Sequence, residues 1–106
     1  MTLSNPAAVL ERLEVIENRL AELENDFEDA ALKWFRAKRD REHEWARVYV
    51  QTQGPAYLRK ATADGAVTDR GLEEEAQFEG KKAVVRMLET RASIGQSILR
   101  SQGRLP

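Results

Sequence analysis

The sequence contains no cysteine, three prolines, six glycines and only 7% aromatic residues among its 106. Without cysteine there can be no disulfide scaffold and no thiolate-ligated metal or iron–sulfur site. No run approaches the ~18 consecutive apolar residues that a membrane-spanning helix needs. The first twenty residues, MTLSNPAAVLERLEVIENRL, have neither a basic n-region nor an apolar h-region, so no signal peptide and a cytoplasmic location are expected. Net charge is scarce too: 17 basic and 18 acidic side chains leave −1. That balance argues against a general nucleic-acid binder. The length suits one domain spanning residues 1–106.

What the chain does have is helical periodicity. Asn5-Pro6 is a start signal, with Asn as N-cap and Pro at the first helical position. From there apolar residues recur in alternating steps of four and three: Val9, Leu13, Ile16, Leu20, Leu23, Phe27, Ala30, Trp34, Ala37. This is a heptad seam. Beyond Ala37 the seam positions become Arg41 and Glu44, so the apolar repeat lapses. An eleven-residue step from Trp34 to Trp45, followed by Val48, restores it and predicts a locally straighter helix. Gln53-Gly54-Pro55 should end helix 1, predicted over residues 6–53.

The connection is predicted over 54–68, with a short helical piece at 55–61 and a turn at Asp64-Gly65. Thr68 is read as the N-cap of a second helix over 69–102, with Val67 and Leu72 at staple spacing. Gly103 and Pro106 close it. Its apolar face runs Phe78, Val85, Leu88, Ala92, Gly95, Leu99, with Val84, Met87, Ile94 and Ile98 expected to widen that face. No stretch alternates with period two, so no sheet is expected.

Read by position, the cancelling charges become four blocks. Residues 11–29 sum to −6, 33–60 to +5, 69–79 to −4 and 81–104 to +5. Folding the chain back sets acid beside base in both halves, whereas parallel pairing sets acid against acid. Exposed pairs are worth only ~0.2–1 kcal/mol, so this selects orientation more than it stabilises. The expected fold is all-α: a long antiparallel helical hairpin, coiled-coil-like, dimerising into a helical bundle.

The helix lengths, ~72 Å and ~51 Å at 1.5 Å per residue, leave about two heptads of helix 1, around Leu10 to Leu20, without an intramolecular partner. Off-seam Val15, Leu32, Phe35 and Val50 add a second apolar face. A two-helix hairpin of this size buries little area. Self-association meets both needs, and a homodimer is expected. Its seam would use Leu13, Ile16, Leu20, Leu23, Phe27, Trp34, Phe78, Val85, Leu88 and Leu99.

Chemistry-bearing patterns are sparse. His43 is the sole histidine; with Asp40 three residues before it, the pair resembles half of a carboxylate-bridged metal site but lacks the facing ligands. Ser4, Ser93, Ser97 and Ser101 have no nucleophile-elbow context. Gly54, Gly65, Gly71 and Gly80 match no phosphate-cradling spacing. No catalytic residue, metal or cofactor is expected. Lys33–Val50, KWFRAKRDREHEWARVYV, interleaves aromatics with cations. Trp34, Arg36, Arg39, Trp45 and Arg47 could stack on and neutralise single-stranded nucleic acid. Alternatively, both tryptophans lie on the seam against Phe78 and Val85, and the cations answer the acidic start of helix 2. Ile94 and Ile98, in a run of small and apolar residues, could dock a partner helix.

The acidic heptad-rich first helix, the segment WARVYVQTQGPAYLRKA and the ending ETRASIGQSILRSQGR resemble small all-helical accessory proteins of tailed bacteriophages and prophages of actinobacterial hosts. The resemblance covers about residues 30–103, carries no diagnostic motif, and transfers no functional residue. It implies an accessory role in replication, recombination or host takeover, in the host cytoplasm. The leading expectation is therefore a non-enzymatic protein–protein interaction module with an unidentified protein partner. The alternatives are a single-stranded nucleic-acid binder on segment 33–50 and a virion or assembly component.

Overall fold

The computed structural model describes residues 5–103. Three helices appear in order: α1 (Pro6–Gln51), α2 (Ala56–Val67) and α3 (Leu72–Ser101). Among the described residues there is no strand. The fold is all-α, with α1 and α3 antiparallel. Pro106, read as closing the second helix, and Ser4 lie outside the described residues.

The local signals explain the α1 boundaries. The Asn5 side chain accepts a hydrogen bond from the Ala7 amide at 3.0 Å, which satisfies one of the free amides at a helix start. At the other end α1 stops at Gln51 and Gly54 takes φ +116. Between these ends α1 is continuous.

The seam does not lapse as expected. Protection from solvent follows the four–three rhythm from Val9 through Ala37 and on through Arg41, Glu44 and Val48. The repeat continues in position while changing in chemistry. Arg41 lays its guanidinium over the Trp34 ring, 5.5 Å from the centroid, and Glu44 pairs with Arg47 and with Arg70. Polar seam residues persist because each finds a partner there.

The chain divides into two compact units, residues 1–28 with 80–106, and residues 29–79. In the first, Val9, Leu88 and Leu99 are buried, and Leu99 has no exposed surface. Gly95 of α3 lies close against α1: a Cβ there would stand 2.9 Å from Leu13 Cδ2 and 3.6 Å from Val9 Cγ1. Glycine allows the two backbones to approach at this point. Leu13, Ile16 and Leu20 are half-buried, so the stretch expected to lack an intramolecular partner is packed against α3.

In the second unit Ala30, Trp34 and Ala63 are buried. Here α2 supplies what the length arithmetic had left open. The segment read as a connection is a helix of 12 residues, and it packs along the C-terminal part of α1. Asp64-Gly65 is therefore not a turn; both residues lie inside α2. Thr68 is not the N-cap of the next helix either. It has helical φ and ψ at the end of α2, and its hydroxyl donates to the Asp64 carbonyl at 2.8 Å. The break between α2 and α3 falls at Gly71, φ +79, where a Cβ would meet Trp34 Cζ3 at 3.2 Å. Val67 thus belongs to α2 and the exposed Leu72 opens α3, so the expected staple across Thr68 does not form.

Val84, Met87 and Ile94 do not widen the face that α3 turns to α1; they stand exposed.

Candidate functional site

The residues with the richest side-chain chemistry gather in the second unit, where α2 crosses the aromatic–basic part of α1. The seam rhythm places Trp45 beside Glu44, on the α2 side of α1. Its indole N–H donates to Asp64 Oδ1 at 2.7 Å. One turn on, Tyr49 stacks on Trp45, centroids 5.1 Å apart and planes 14° from parallel. Arg59 of α2 covers the other partner: its guanidinium lies 4.4 Å from the Tyr49 centroid, and its Nε donates to the Tyr49 carbonyl at 3.1 Å. Aromatic stacking and a cation over a ring each stabilise the contact modestly beyond the area it buries.

Charge pairs frame this cluster. Lys60 Nζ donates to Asp64 Oδ2 at 3.0 Å. Arg47 is held by Glu44 through a two-pronged contact and by Gln51 at 2.8 Å. Arg70, in the turn between α2 and α3, reaches Glu44 at 3.8 Å. The Trp45 N–H and then the Lys60 ammonium hold the Asp64 carboxyl below its ordinary value near 3.8. The Arg47 guanidinium does the same for Glu44 and is itself raised in return.

An open hollow of about 200 Å³, lined by Arg41, Glu42, Trp45 and Val67, adjoins the cluster. It is smaller than the ~300–1,000 Å³ of ordinary small-molecule sites.

The structure gives the predicted residues different surroundings. Trp34 is buried beneath Arg41 and beside Gly71, and Phe78 meets Phe35 instead, at 6.0 Å between centroids. Trp45 turns to Asp64 of α2. Arg47 is engaged with Glu44 and Gln51, whereas Arg36 and Arg39 are exposed. Of the seam residues, Leu13, Ile16, Leu20, Leu23, Phe27 and Val85 are half-buried in the first unit, where Leu88 and Leu99 are buried. Ile94 is exposed and Ile98 half-buried. His43 and Asp40 are both exposed, and among the described residues no group of three or more His, Cys, Asp or Glu could hold a metal ion.

Arg59, Lys60, Asp64 and Arg70 were not anticipated as partners of this segment. A signal was available. Pro55 is well suited to precede a helix, and Arg59, Ala63 and Val67 recur every four residues, marking one protected face.

No family model matches the chain, and neither a curated protein nor a solved structure matches it. Among the described residues no helix is long and apolar enough to cross a membrane.

Proposed function

We propose that the protein is a non-enzymatic helical interaction module of the phage accessory kind. It self-associates into a helical bundle in the host cytoplasm and docks a second protein of DNA metabolism or host regulation. One observation carries the interaction reading. Among the described residues eleven large apolar side chains stand exposed, while only six apolar residues are buried. Where such side chains recur on one helix face, as Val84, Met87 and Ile94 do on α3, exposed apolar surface marks an interaction face. The aromatic–basic segment, by contrast, commits its tryptophans to neighbours in its own unit, Trp34 in the core and Trp45 on Asp64. The phage setting rests on the resemblance of residues 30–103.

Val15 and Leu32, off the α1 seam and exposed by 62% and 47%, are the places to test self-association. Val15→Glu with Leu32→Glu should leave the helical circular dichroism unchanged and weaken association at least about tenfold, since a carboxylate buried in a contact must be desolvated. Association as tight as the wild type's would contradict the proposal.

A further inference from the structure

The outward face of α3 in the first unit is poor in charge for a chain that is 33% charged. Val84, Met87, Arg91, Ile94 and Ile98 follow one another in steps of three, four, three and four. That is the spacing of a coiled-coil seam, and it lies off the seam that α3 turns to α1. Val84, Met87 and Ile94 are exposed by 39%, 45% and 56%. The other five outward positions between 80 and 101 hold glycine, alanine, threonine and two serines, so one charge falls among ten residues. Of the other charged side chains of the same stretch, Lys81 lies on the side turned to α1, and Lys82, Arg86, Glu89 and Arg100 sit on the opposite flank. A solvated helix face normally collects charge; this one has been kept nearly free of it.

The single exception, Arg91, stands in the middle of the stripe. Among the described residues it makes no ion pair or hydrogen bond. A second copy presenting this same face would bring another arginine and no acid, so two such faces together would desolvate cations without a counter-charge. We infer that this face of α3 is a docking site for an amphipathic helix of a different protein, one with apolar residues at three–four spacing and an Asp or Glu at the position opposite Arg91.

The apolar side chains supply the contact area and the small residues admit the partner backbone closely. Arg91 selects the partner, because a guanidinium desolvated in an apolar contact needs a carboxylate and penalises a cation. This inference rests on the interaction-module reading and names its partner chemistry.

The test uses the full chain and two labelled synthetic helices of about three heptads, alike in leucine spacing and differing at one central residue, Glu or Lys. Fluorescence anisotropy should report the Glu peptide bound at least about tenfold more tightly. Arg91→Glu should invert that preference. Met87→Asp with Ile94→Asp should abolish binding while thermal midpoint and solution mass stay at wild-type values, since both positions are exposed. Equal affinity for the two peptides, no binding of either, or binding that survives the double Asp substitution would overturn the inference. A fall in mass on Met87→Asp with Ile94→Asp would also overturn it, since a second copy would then be the occupant. That outcome would leave the self-association reading standing, so the two fail separately.

Discussion

Replacing Gly95 by alanine sets two effects of known sign against each other at one atom. Inside an exposed helix, alanine in place of glycine gains about 1 kcal/mol, mainly by restricting the unfolded chain. Gly80 of α3 offers that gain without opposition, because a Cβ there meets nothing within 4 Å. At Gly95 the new methyl would stand 2.9 Å from Leu13 Cδ2 and 3.2 Å from Leu13 Cγ. The Cδ2 end can swing aside, but Cγ can move only with the rest of the side chain. Overpacking of this kind costs about 1–3 kcal/mol. Gly95→Ala should therefore range from neutral to a loss of about 2 kcal/mol, against a gain of about 1 for Gly80→Ala. The separation between the sister variants, about 1–3 kcal/mol, is what urea melts followed by circular dichroism would read. Chain concentration must be held fixed, because association shifts apparent stability. In a Leu13→Ala background the steric conflict is gone, and Gly95→Ala should recover the gain of about 1 kcal/mol. If Gly95→Ala stabilises as much as Gly80→Ala in the wild-type background, the close approach of α1 and α3 at this point is refuted.

Trp34→Ala should cost about 3–5 kcal/mol in the same melts, as expected for removing a large core aromatic; a loss under about 1 would contradict its central place in the second unit. Acid should act through Asp64. Its carboxyl is depressed in the folded protein by the Trp45 N–H and by Lys60, so its contribution is present above the unfolded value near ~3.9 and is lost as pH falls through the folded one. Tryptophan emission should accordingly change in acid below about pH 4 and lose that step in Asp64→Asn. An identical acid step in the variant would dismiss the Trp45–Asp64 contact as its source.

How much of this was readable in advance depends on whether a feature is local. The start of α1 was legible because Asn5 and Pro6 act on the amides next to them. The heptad from Val9 to Trp34 was legible because apolar type and position coincide there. At Arg41 and Glu44 they part company. The positions stay on the seam, but their partners, Trp34 one way and Arg70 the other, come together only once the chain has folded. The same holds for α2. Asp64-Gly65 carries a turn signal by composition, yet Ala63 has no exposed surface and the side chains of Arg59 and Asp64 reach Tyr49 and Trp45 on α1. Tertiary packing overrode a weak local preference, as it does at interior glycines generally. The length mismatch between the two predicted helices closes within the chain, since α2 lies against the C-terminal part of α1 and α3 against its start. On α3, sequence spacing singled out Ile94 and Ile98, but only the exposure of Val84, Met87 and Ile94 distinguished a second face from a wider first one.

On the proposed reading, the open apolar surface is there to be covered by other chains, beginning with a second copy of this one. The most direct test is the solution mass of the full chain, by light scattering at tens of micromolar. A homodimer should register about 24 kDa, twice the 12.1 kDa of one chain. A steady 12.1 kDa across that concentration range would contradict it.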